Sequence, residues 1–115
     1  MQLPEYQGRL AAIELLLMDV DGVLTDGSIA YTGDQEETKV FYARDGLGIR
    51  MLHENGIQTG VVTARASPAL LRRCRELTIT RIYDGVRDKE SVWPDILTET
   101  GCNPEAIAFI GDDLV

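Results

Sequence analysis

Leu15-Leu16-Leu17-Met18-Asp19-Val20-Asp21-Gly22-Val23-Leu24-Thr25-Asp26-Gly27 is the stretch from which the rest of the chain is read. An apolar run stops at two carboxylates set two residues apart, and a glycine follows at once. Such a run predicts a buried parallel strand, bare of charge because helices cover both its faces. Ligand sites of open α/β sheets lie just beyond the carboxyl ends of such strands. Asp19 and Asp21 therefore fall at a candidate site, and Gly22 lets backbone amides approach a ligand closely.

Working outward, the remaining chain alternates strands with helices. Ile13 to Asp19 is the first predicted strand. Ser28 to Tyr31 and Thr38 to Tyr42 flank the polar turn Thr32 to Glu36 and read as a β-hairpin. Asp45 is the expected N-cap of a helix through Leu47, Ile49, Met51 and Leu52, ended by Gly56. Ile57 to Thr63 is the second strand of the main sheet. Ser67-Pro68 opens a helix to about Leu77, and Arg81 to Tyr83 is the third strand. Asp88 caps a helix ending near Gly101, Asn103-Pro104 starts a short turn, and Ala106 to Ile110 is the fourth strand. This order implies βαβ units and a parallel sheet.

At 115 residues the expectation is a single domain over 1–115. Nineteen acidic against 11 basic residues give a formal net charge of −8, which argues against nucleic acid or an anionic membrane as partner. An anionic substrate would then need local help from a metal ion or placed basic side chains. No apolar stretch approaches the length of a membrane span, and the first residues lack a signal-peptide layout. Cys74 and Cys102 form no C-x-x-C pair and read as free packing thiols of a cytoplasmic protein.

Four polar clusters fall on one edge of the predicted sheet: Asp19 and Asp21, Thr63 and Arg65, Lys89, and Asp112 with Asp113. Carboxylates without histidine or cysteine indicate a hard cation, and Mg2+ is held by one or two carboxylates plus substrate phosphate and water. A hydroxyl from Thr63 and an ammonium from Lys89 complete a cradle for a phosphoryl group, whose transfer needs positioning and neutralisation of oxygen charge. Asp19, at the strand terminus, is the natural nucleophile, forming an acyl phosphate that water cleaves. Asp21, on the following loop, suits proton transfer to and from the leaving oxygen.

These residues resemble the four signatures of the haloacid dehalogenase superfamily: Asp19-Val20-Asp21-Gly22-Val23-Leu24-Thr25, then Thr63, Lys89, and Gly111-Asp112-Asp113. Asp-Gly-Val-Leu-Thr-Asp-Gly, Arg44 to Ile49, Thr63 to Ser67 and Gly85 to Lys89 further resemble the 3-deoxy-D-manno-octulosonate 8-phosphate phosphatase family, whose relatives act on sialic-acid-type 9-phosphates. The resemblance implies Asp19 as nucleophile, Asp21 as acid/base, and Thr63 and Lys89 as phosphate holders. It implies Mg2+ on Asp19, the Asp21 carbonyl and Asp112, and a homotetramer acting on a small sugar phosphate. It also implies a Rossmann-like parallel sheet flanked by helices, without a cap domain and with a hairpin after the first strand.

Two departures stand out. Ala64 occupies a position where the family usually has glycine. The family also continues well past Gly-Asp-Asp, so the C-terminal part of its fold is expected to be absent here. The fourth strand would then be left as an apolar edge.

Other residues have plainer readings. Arg44 and Arg65 serve either as contacts to substrate carboxylate and hydroxyls or as ordinary ion-pair partners, and Asp113 either tunes a metal shell or caps a helix. His53 sits near a helix C-terminus, where its charge is favoured. Trp93 and Met51 fit helical core stripes. Two other function classes remain in view: a phospho-receiver module and a non-catalytic phosphatase-like domain of a sugar-acid cytidylyltransferase. Receivers carry paired aspartates after strand one and the acceptor after strand three, an order this chain does not follow.

Overall fold

The computed structural model describes residues 12–27, 30–32, 36–65 and 67–111; of the hairpin strands and of Lys89 it describes the backbone alone. Four short strands form one parallel sheet: β1 (Leu15–Met18), β4 (Gln58–Val62), β5 (Arg81–Tyr83) and β6 (Ile107–Ile110), in the order β5-β4-β1-β6. β1 is central, with Leu15 opposite Gln58 on one side and Ile107 on the other, and Met18 opposite Val61 and Ile110. The expected α/β architecture is present.

Alternation along β1 divides the core between the sheet's two faces. Met18 joins Ile49, Val61, Leu70 and Cys74 on the face covered by α1 (Ala43–Glu54) and α2 (Pro68–Glu76). Leu15 and Leu17 join Val62, Ile96 and Cys102 under α3 (Lys89–Thr100). Leu15, Leu17 and Val61 are fully buried, each worth roughly 1.5–3 kcal/mol. Both cysteines are free and buried, as their packing role required.

Local chemistry sets the helix ends. Ser67 Oγ accepts from Leu70 N (3.2 Å) with Pro68 at the first helical position, and Asp88 Oδ1 accepts from Glu90 N (3.0 Å). Gly101 closes α3 in the left-handed conformation, and a short 3-10 turn over Pro104–Ala106 leads into β6. These match the sequence reading.

Three expectations need correction. Asp45 does not cap α1: the helix begins at Ala43 behind Tyr42, and Asp45 sits in the first turn with its N–H donating to the Tyr42 carbonyl (3.2 Å). A carboxylate is still favourable there, because it meets the positive end of the helix dipole. The hairpin pairs β2 (Ala30–Thr32) with β3 (Glu36–Thr38), so its second strand ends where Thr38 to Tyr42 was predicted to begin. Residues 39–42 instead lead into α1. Met51 is not a core residue. It is 55% exposed beside Leu47, while Ile49 takes the buried position of α1. Trp93 does pack against the core beneath α3.

β6 lies at the sheet edge, with Phe109 and Ile110 among the exposed large apolar residues. The apolar edge expected for the fourth strand is thus seen among the described residues.

Candidate active site

β4 and β5 lie on one side of β1 and β6 on the other, so the chain reverses its direction across the sheet after β5. Such a reversal leaves a crevice at the carboxyl ends of the two strands that diverge, here β1 and β6. Asp19 N donates to the Ile110 carbonyl (2.9 Å), carrying the β1–β6 ladder one residue past the strand and setting Asp19 beside Gly111. The Asp19 residue is 9% exposed. Gly111 leaves room for its carboxylate, because a Cβ at that position would stand only 3.0 Å from Oδ2.

After Asp19 the backbone folds into a tight turn. The Val20 carbonyl accepts from the N–H groups of Val23, Leu24 and Thr25 (3.3, 2.8 and 3.2 Å). Gly22 has φ +83°, a conformation that an L side chain rarely adopts. The buried Thr25 hydroxyl accepts from Gly22 N (3.4 Å) and Gly27 N (3.1 Å), pinning the turn from beneath. Asp21 rides on the outer side of this turn. Its Oδ1 is 2.6 Å from the Lys39 ammonium, which arrives from the segment between β3 and α1.

Thr63 follows β4 and is buried. Its N–H donates to the Tyr83 carbonyl (2.9 Å), its carbonyl accepts from Val86 N (3.0 Å), and its hydroxyl donates to the Arg65 carbonyl (3.0 Å). Neighbouring strand ends thus carry Asp19 and Thr63 on one edge of the sheet. Tyr83 donates its hydroxyl to Glu99 Oε2 (2.9 Å), and burial together with that acceptor pushes the phenol up from its ordinary value.

The backbone of Lys89 opens α3 directly after its Asp88 cap. The Lys89 side chain, Asp112 and Asp113 lie outside the described residues. Arg65 is exposed. Arg44, also exposed, lines a cavity of about 500 Å³ with Asp45, Ile49 and Ile110 beside the end of β6. Within that wall Asp45 Oδ2 is buried with no hydrogen-bond partner among the described residues.

A larger cavity of about 540 Å³ lies under α3, walled by Leu17, Val62, Trp93, Ile96 and Phe109, with Glu90 as the one charged side chain among the described residues that line it. It offers little polar chemistry, so the strand-end crevice is the better candidate site. Among the described residues no three histidine, cysteine or acidic side chains gather to hold a metal; the expected set includes Asp112.

Sequence reading missed three contributors. Thr25 staples the turn, Lys39 meets Asp21, and Arg73 donates from Nη2 to the Tyr42 carbonyl (3.3 Å). Lys39, Arg72, Arg73 and Glu76 line one cavity of about 360 Å³, in which Arg72 pairs with Glu76 (3.8 Å). A lysine among the apolar residues of the predicted strand Thr38 to Tyr42 was the available signal for Lys39. Its partner, 18 residues away, was not legible.

No family model matches the chain. It is 43% identical over 109 residues to the 3-deoxy-D-manno-octulosonate 8-phosphate phosphatase of Haemophilus influenzae, covering 95% of this chain and 61% of that protein. Its fold matches that of the Moraxella catarrhalis enzyme of the same name, solved with magnesium, phosphate and KDO. The TM-score is 0.91 at 39% identity, over 98% of this chain and 65% of that one. It also matches a Legionella pneumophila protein named as a HAD-superfamily hydrolase, with TM-score 0.88 and 36% identity, over 93% of this chain and 59% of that one. This chain belongs to the haloacid dehalogenase superfamily. It spans about three fifths of the length of the superfamily members it matches.

Proposed function

We propose that the protein is a Mg2+-dependent phosphatase of a small acidic sugar phosphate, 3-deoxy-D-manno-octulosonate 8-phosphate first among them, in lipopolysaccharide biosynthesis. One observation carries the reading: the buried Asp19 carboxylate stands beside Gly111 at the sheet's point of reversal, in a chain closely similar to phosphatases of that substrate.

In this reading Asp19 attacks phosphorus and forms an acyl phosphate while Asp21 protonates the departing alcohol. Asp21 then takes a proton from the water that hydrolyses the intermediate, a role worth roughly 10²–10⁴ in rate. Thr63 and Lys89 hold the phosphoryl oxygens, and Arg44 and Arg65 contact the sugar acid. The oxygen-only donor set, comprising Asp19, the Asp21 carbonyl and Asp112, suits a hard cation. Mg2+, when bound, supplies neutralisation of the phosphoryl charge.

The same reading includes a homotetramer. Exposed Val40 and Tyr42 before α1, with Leu47 and Met51 along it, support it as a surface that association would cover.

Phosphate release from a panel of sugar phosphates, with Mg2+ and after chelation, tests the proposal. Release confined to 2-keto-3-deoxy sugar acid phosphates and lost on chelation is expected. Release from none of them, or release indifferent to chelation, overturns it.

A further inference from the structure

Lys39 has no role in the four signatures, yet it is a lysine taken almost entirely out of water. Its side chain is 2% exposed, and its ammonium lies 2.6 Å from Asp21 Oδ1, while the Asp21 side chain keeps 51% of its surface exposed. Lysine is rarely buried to this degree, because an ammonium loses hydration that only close acceptors replace. Its stem lines the cavity shared with Phe41 and Pro68, at the start of α2. The cation is therefore held from behind by packing and reaches forward to the carboxylate.

Asp21 needs such a partner. It precedes Gly22 at φ +83° on a turn held by backbone bonds to Val20, and those bonds fix the backbone without fixing a half-exposed side chain. We propose that Lys39 is the positioning residue for Asp21, holding one carboxylate oxygen so that the other faces the reacting oxygens. The pair also ties the segment leaving the hairpin to the catalytic turn. This inference rests on the acid/base role given to Asp21 above. Misplacing a reacting group by about 1 Å costs on the order of 10² in rate, which sets the expected size of the effect.

The test is a set of variants read in two independent ways. For turnover, Lys39→Met is expected to lower kcat by about 10²-fold with KM changed less than about threefold, and Lys39→Arg to recover about tenfold of that loss. A raised KM at unchanged kcat would make Lys39 a substrate contact and overturn the inference, as would wild-type turnover in Lys39→Met. The second reading is a melting cycle over Lys39→Met, Asp21→Asn and the double variant, in chelator and without substrate. Asp21→Asn is expected to cost more stability than Lys39→Met, because it strips a buried ammonium of an acceptor whereas Lys39→Met frees a carboxylate already facing water. The double variant is expected to melt well above the sum of the two losses; additive losses overturn the pairing. A wild-type protein that releases no phosphate sinks the parent reading alone, since the melting cycle still scores the clamp.

Discussion

Gly111 stands so close to Asp19 that a methyl group in place of its hydrogen would lie 3.0 Å from Oδ2 and 2.7 Å from Phe109 Cε1. The second contact is shorter than side-chain carbons tolerate, so the aromatic ring, the carboxylate or the end of β6 must shift. Gly111→Ala is expected to lower phosphate release by about 10²-fold through displacement of the nucleophile. An unchanged far-ultraviolet circular dichroism spectrum should accompany the loss, and retained turnover would contradict the proximity.

Asp19→Asn removes the nucleophilic oxygen while keeping the shape of a buried side chain. Turnover is expected to fall by at least about 10³-fold, with the melting temperature little changed. Trapping with acid after a short exposure to substrate should give a phosphorylated wild-type protein and none in the variant. Substantial activity of Asp19→Asn would assign the attack elsewhere.

Thr78 follows α2 and its C-cap Leu77 with φ +60°, a left-handed conformation held by a β-branched residue where helices usually place glycine. Thr78→Gly is expected to stabilise the fold by about 1 kcal/mol, the strain relieved being partly offset by the freer unfolded chain. Urea denaturation should show a higher midpoint at an unchanged slope. A lowered midpoint would mean that the threonine contributes packing worth more than its strain.

Cys74 is buried in α2, and burial pushes its thiol from 9.0 up to about 11. Below pH 9 the thiol is protonated in folded and unfolded chains alike, and its contribution to stability is whole. As pH rises from about 9 through about 11 the unfolded thiol ionises first, so the unfolded state gains and stability falls. Cys74→Ala is expected to show a shallower loss of stability over that range, measured by denaturant titration at several pH values. The buried thiol should also resist aromatic disulfide reagents until the protein unfolds.

Short-range sequence pattern determined a great deal of this protein. The run before Asp19 specified a central strand, because only a strand covered on both faces can be apolar throughout. Ser67-Pro68, Asp88 and Gly101 specified helix ends through hydrogen bonds made within three or four residues. Asp19 and Thr63 were legible as site residues for the same reason: each immediately follows a strand that sequence alone reveals.

What tertiary structure decided is non-local. The order β5-β4-β1-β6, and with it the seat of Gly111 beside Asp19, depends on which side of β1 each returning strand takes. No spacing in the chain encodes that choice. Helical periodicity located a stripe on α1 but not what lies opposite it, which is why Ile49 is buried while Met51 faces solvent. The meeting of Lys39 with Asp21 across 18 residues arose the same way: burial of a cation requires a partner, and only the folded chain says which one it is.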